Sequence, residues 1–118
     1  YSSADLNCMD KKSRSSVEMN DPSSRPEIAE RVSNMADYDT VFIGFPIWWY
    51  VAPRIIQTFV ESYDFSGKTL VPFGTSGGSG MGRTVDELQK LCPNANWKAG
   101  KMINGTSDKA LADWANTL

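Results

Sequence analysis

Hydrophobic positions along the chain come in short bursts, set between polar and glycine-rich stretches. Residues Tyr1 to Arg25 are polar and serine-rich, and Asp5, Asp10, Asn20, Asp21 and Pro22 break any sustained period. That composition predicts an extended loop with one short helical turn, or a disordered arm. Pro26 suits a first helical position, and Ile28, Ala29, Val32 and Met35 follow at helical spacing up to Asp37-Tyr38-Asp39. Thr40 to Phe45 is continuously apolar and β-prone. It reads as a parallel-type strand buried on both faces, stopped by Pro46.

A helix is predicted from Pro53, with Ile55, Ile56, Phe59, Val60 and Tyr63 inward. Asp64 to Lys68 is a turn, and Thr69 to Phe73 a second strand with Pro72 near its end, where proline is tolerable. The glycine-rich stretch Gly74 to Gly82 leads into a helix over Thr84 to Leu91, with Val85, Leu88 and Leu91 inward. Pro93 to Asn96 turns the chain, and Trp97 to Ile103 is a candidate third strand. Ser107 is a candidate N-cap for a last helix carrying Leu111, Trp114, Ala115 and Leu118. This alternation predicts an α/β fold: a parallel sheet with helices on both faces and right-handed crossovers. The 118 residues suit one domain, with 1–25 as polar loop and 26–118 as the alternating body.

Composition narrows the function. Hydrophobic residues make up 41% and charged residues 22%, with a net charge of −2. No basic patch suited to a phosphate backbone stands out, so nucleic acid is not an expected partner. The longest strongly apolar stretch, Val41 to Ala52, is too short to cross a bilayer, and the expected location is the cytoplasm. The chain has no histidine, which removes Ser-His-Asp and Cys-His catalysis and most zinc sites. Cys8 and Cys92 lie outside any CxxC motif and read as reduced thiols, although sequence does not exclude a disulfide. No acid–base carboxylate pair stands out. Redox chemistry here would therefore come from a cofactor.

Two segments fall at expected strand ends, where open parallel sheets bind ligands. In Pro46-Ile47-Trp48-Trp49-Tyr50-Val51-Ala52-Pro53, three consecutive aromatics cannot all face one core. Either one ring is free to stack on a flat ligand, or all three pack beneath the next helix. In Gly74-Thr75-Ser76-Gly77-Gly78-Ser79-Gly80-Met81-Gly82, the glycines allow close backbone approach to a ligand, or make a flexible surface loop. Gly77 to Thr84 also nearly fits the triphosphate-binding G-x-x-x-x-G-K-[ST] pattern, but Arg83 stands at the lysine position and no later apolar strand ends in a magnesium-holding Asp.

As a set, these segments resemble the flavodoxin-like family. The residues carrying the resemblance in the polar region are Tyr1-Ser-Ser-Ala-Asp-Leu-Asn7, Ser13-Arg-Ser-Ser16, Glu18-Met-Asn-Asp-Pro22 and Ser24-Arg-Pro26. Tyr38 to Trp49, Pro72 to Gly80 and Asn104-Gly105 complete it, so the resemblance spans essentially the whole chain. It implies a flavodoxin-like sheet with FMN at the strand ends. The cofactor-binding positions it implies are Pro46, Ile47, Trp48, Trp49 and Tyr50 after one strand, and Thr75, Ser76, Gly77, Gly78 and Ser79 after the next. The implied activity is electron transfer to redox partner proteins or small acceptors, or FMN-dependent reduction of a small substrate.

Family members open with a strand, a Ser/Thr-Gly-Thr phosphate loop, a helix and a second strand, and no counterpart of these is legible here. The resemblance therefore implies an N-terminally truncated domain with weak or absent FMN binding. It also leaves the Val41–Phe45 strand edge unpaired, a template for self-association. A non-catalytic fragment or interaction module held by that edge is the alternative expectation.

Overall fold

A computed structural model describes all 118 residues. Its centre is the pairing of β1 (Thr40–Pro46) with β2 (Thr69–Thr75), parallel and in register from Thr40↔Thr69 to Pro46↔Thr75. Between them runs α2 (Arg54–Ser62), and after β2 comes α3 (Thr84–Leu91). The far side of β2 pairs in parallel with two short strands, β3 (Asn96–Trp97) and β4 (Lys101–Met102), and α4 (Asp108–Asn116) closes the chain. The predicted parallel α/β architecture is thus what forms.

The two faces of the sheet are built differently. Ile43, Phe45, Ala52, Val60, Phe65, Leu70 and Leu88 make one buried cluster beneath α2 and α3. On the opposite face Phe42 meets Trp114 of α4 edge-on, at 6.1 Å between ring centres. Ser107 caps α4 as expected, accepting from the Ala110 N–H, but α4 buries no residue fully.

Three expectations need correction. β1 is not buried on both faces: its residues alternate, Ile43 and Phe45 buried and Phe42 47% exposed, because β1 is the edge strand. Pro72 lies at the middle of β2 and is fully buried, where a proline would ordinarily break a ladder. Its side of β2 explains the tolerance. Leu70 and Gly74, in the same alternate row as Pro72, accept from Lys98 N–H and Ile103 N–H on the β3/β4 side. The donor that Pro72 lacks therefore faces the gap between β3 and β4. There the predicted single strand Trp97–Ile103 is broken: from Leu70↔Trp97 to Phe73↔Lys101, β2 advances three residues and its partner four. That is one extra residue, a bulge.

The third correction is the helix predicted from Pro26, of which only a 3-10 turn at Met35–Asp37 forms. The preceding residues are tied along α2 instead. Arg25 pairs with Glu61, Arg31 donates to the Ser62 carbonyl, and Val32 N–H donates to the Tyr63 hydroxyl at 2.8 Å. An isolated helix of about ten residues is marginal, so these tertiary bonds decide the conformation.

The polar arm is folded rather than disordered. Its helix α1 (Arg14–Met19) is capped by Ser13, which accepts from the Ser16 N–H. At its other end Arg54, the first residue of α2, is buried and donates to the carbonyls of Glu18 (3.3 Å) and Met19 (3.0 Å). Burial, and then the nearby Arg25, pull the Arg54 pKa below the usual guanidinium value. Arg54 therefore closes the C-terminal end of α1, where helix carbonyls otherwise lack partners. Arg54→Ala removes both bonds and leaves the buried Met19 carbonyl without its partner, while the Glu18 carbonyl keeps the Asp21 N–H. It should cost about 2 kcal/mol, seen as a lowered urea midpoint. An unchanged midpoint would show that the arm is held by other contacts.

Candidate functional site

The parallel register brings two loops to one end of the sheet. Pro46 and Thr75 are paired residues at the ends of their strands, and Ile47 N–H donates to the Thr75 carbonyl at 2.8 Å. Ile47 packs inward, near Gly74. All ten residues proposed from the sequence thus leave the sheet side by side.

After Ile47 the chain makes a tight reversal. Trp48 N–H donates to the Val51 carbonyl at 2.9 Å, and Val51 N–H donates back at 3.2 Å. The two central residues, Trp49 and Tyr50, have φ of 48° and 72°. Two positive φ values inside a two-residue reversal are the pattern of a type I′ turn, which ordinarily takes Asn-Gly. Bulky residues there are strained by about 1–3 kcal/mol each, so the surroundings must hold them. Both rings of the turn lie outward: Trp49 and Tyr50 are 49% and 61% exposed. The aromatics are divided, with Trp48 partly packed and the next two presented to solvent.

Trp48 rests on the polar arm. The Tyr1 ring meets it edge-on at 5.6 Å, and the Arg14 guanidinium lies 4.4 Å from the Tyr1 ring centre. Tyr1 hydroxyl and Arg14 both donate to the buried Glu18 carboxylate, Arg14 at 2.6 Å. Burial, and then this carboxylate, push the Tyr1 hydroxyl far above the usual phenol range.

The second loop is tied to the first at its far end. Arg83 N–H donates to the Tyr50 carbonyl at 3.0 Å. Gly82 sits against the same carbonyl with φ of 56°, and a Cβ there would lie 2.5 Å from the oxygen. Within the loop, Ser76 and Ser79 hydroxyls are 2.9 Å apart, and Gly78 N–H donates to the Ser76 hydroxyl. At Gly77, Gly78 and Gly80 a Cβ would meet no atom within 4 Å, so their backbone borders open space. An exposed aromatic pair beside glycine backbone open to solvent fits one face and edge of a flat polycyclic ring. The sequence reading missed Tyr1, Arg14 and Glu18 as the support of Trp48. It placed Gly82 in the glycine-rich stretch but missed its contact with the Tyr50 carbonyl.

The same order of elements is found in known proteins. The flavodoxin family model matches residues 1–118. The chain belongs to the flavodoxin family. No curated protein matches it. Among solved structures it is similar to a protein of Bacteroides eggerthii DSM 20697 described as a flavoprotein, with 53% identity and a TM-score of 0.90; the match covers 99% of this chain and 74% of that one. A second such protein, from Bacteroides uniformis ATCC 8492, has 51% identity and a TM-score of 0.92 over 98% of this chain and 74% of that one. A flavoprotein of Lactobacillus acidophilus NCFM in complex with FMN shares the fold at 20% identity, with a TM-score of 0.59 over 84% of this chain and 62% of that one. The triphosphate-loop alternative has no support in the family or in the geometry, since Thr84 is fully buried within the helix start.

The contact between the two flavodoxin-type loops is directly testable. Gly82→Ala combines a positive φ with a backbone clash and should destabilise the protein by about 1–3 kcal/mol. Gly77→Ala meets nothing and has no positive φ, and it should leave the melting temperature within about a degree or two of wild type. Equal melting temperatures for the two variants would contradict the Tyr50–Gly82 contact.

Proposed function

We propose that this chain carries the ring-binding side of an FMN site and serves flavodoxin-type electron transfer or reduction of a small substrate. The observation behind this reading is that one strained aromatic turn and one glycine-rich loop are delivered side by side by a parallel strand pair and tied at Tyr50. Family membership supports flavin use, and the Lactobacillus acidophilus relative of the same fold is in complex with FMN.

In this reading, Trp49 and Tyr50 supply the stacking surface, and Pro46, Ile47 and Trp48 shape the wall beneath it. Backbone of Thr75, Ser76, Gly77, Gly78 and Ser79 faces the ring edge, with the N–H groups of Gly77 and Ser79 available to its carbonyls, since those of Ser76 and Gly78 are bonded within the chain. FMN supplies the electron chemistry. The chain's own residues orient the ring and exclude water from one side. No three His, Cys, Asp or Glu side chains gather to hold a metal, and there is no histidine to shuttle protons. Redox partner proteins or small acceptors would approach the exposed aromatic side.

The finer part of the proposal is that these 118 residues contact the ring and leave the phosphate without a dedicated loop. Flavin fluorescence quenching then gives similar Kd values, within about threefold, for FMN and riboflavin, and Tyr50→Ala together with Trp49→Ala weakens both by about tenfold, as expected for losing stacking of about 0.5–1.5 kcal/mol per ring. A preference for FMN above tenfold would show that a phosphate site exists in this chain, and no quenching with either flavin would end the flavin reading.

A second reading, self-association, is favoured by one feature. The outer edge of β1 is unpaired, and apolar grooves flank it on both faces. Ile28, Ile43, Ile55 and Phe59 line one, and Phe42, Phe73, Leu111 and Trp114 the other. Two copies related by a two-fold axis would pair these edges antiparallel. Light scattering should then give a dimer that Phe42→Lys converts to monomer. A stable wild-type monomer excludes this reading.

A further inference from the structure

The glycine-rich loop is held at its start by a side chain that neither the flavin reading nor the family match assigns. β4 ends at Met102, and the ladder continues one residue further as Ile103 N–H donates to the Gly74 carbonyl. Beyond that point the backbone of the third strand turns away. Asn104 continues the ladder with its side chain. Its amide oxygen accepts from the Ser76 N–H at 2.9 Å, and its amide nitrogen donates to the Ser76 carbonyl. The planar amide thus matches both backbone groups of one residue, as a neighbouring strand would. The two bonds also fix which end of the amide is oxygen.

The position of this clamp gives it consequence. Ser76 is the hub of the loop, its hydroxyl bonded to Ser79 and accepting from Gly78 N–H. From Gly77 to Gly80 the loop has three glycines whose backbone borders open space. Without Asn104 nothing from the third strand would fix Ser76. Gly105 follows with φ of 67°, and this reversal lets the chain turn into α4 while the Asn104 side chain stays on the loop.

We propose that Asn104 is a positioning residue of the flavin site. It imposes strand-like order on Ser76, and so presets the shape of the 75–79 backbone that meets the ring. This rests on the flavin reading. It adds that the third strand-end loop, which supplies no ring contact, determines how well the second loop can bind. A loop that must be ordered on binding loses affinity. Losing two hydrogen bonds from the lower part of the usual net range, as suits this exposed site, therefore corresponds to a roughly tenfold weaker Kd.

The test measures riboflavin affinity, amide hydrogen exchange and the urea midpoint for wild type, Asn104→Ala and Asn104→Asp. Asparagine to aspartate keeps the acceptor for Ser76 N–H and loses the donor to its carbonyl, so its effect should be the smaller. The expected result for Asn104→Ala is a roughly tenfold loss of riboflavin affinity and loss of exchange protection confined to Ser76 through Gly80, with the urea midpoint of this exposed site little changed. Unchanged affinity and unchanged Ser76 protection would overturn the proposal. If wild type binds no riboflavin, the flavin reading fails by itself. Protection at Ser76 then still decides whether the clamp exists. If Asn104→Ala unfolds, the comparison of Asn104→Asp with wild type carries the same two outcomes.

Discussion

The parallel, in-register pairing of β1 with β2 is the constraint on which everything else depends. A parallel pair sends both chains out of the sheet at the same end, so Pro46 and Thr75 must finish as neighbours. The two loops that follow are then adjacent whatever their composition. The sequence adds two features to this geometry. One is an aromatic reversal that turns Trp49 and Tyr50 outward through positive φ. The other is a glycine at position 82 that allows the Tyr50 carbonyl to approach. Strain at the turn and closeness at the glycine are two sides of one contact. It joins residues about thirty positions apart, across an intervening helix and strand.

The same pairing explains the unequal burial of the molecule. β2 is central, with β1 on one side and β3 and β4 on the other, so Leu70, Val71 and Pro72 are fully buried. β1 has one neighbour only, and Ile55, Ile56 and Phe59 of α2 remain half-buried beside it. Polar side chains carry a share of the remaining cohesion. Arg54 closes α1, Glu18 gathers Tyr1 and Arg14 beneath Trp48, and Asn104 extends the ladder to Ser76. Each couples an irregular segment to the sheet end where the two loops lie.

Much of the fold was legible because periodicity is strong where a helix packs on a sheet. The helix at Thr84–Leu91 and the Ser107 cap stand where pattern and capping chemistry put them. Pattern failed where tertiary bonds overrode it. Residues following Pro26 have helical spacing but are held by Glu61, Ser62 and Tyr63, partners that no local window contains. Pro72 looked like a strand end, because the bulge that tolerates it lies about thirty residues on. The two segments that hold the ten candidate residues stood out as unusual compositions at strand ends, and the family resemblance selected the ten within them. Their supports did not, since the Tyr1–Glu18 and Asn104–Ser76 bonds join residues 17 and 28 positions apart and leave no periodic trace.

Amide chemical-shift mapping on titration with riboflavin is the most direct test of the proposal that the two loops form one surface for a flat ring. Shifts are expected to concentrate at Trp48 to Tyr50 and at Ser76 to Ser79 together, moving along one binding curve. Shifts at only one loop, or centred on the β1 groove around Phe42 and Trp114, would contradict it.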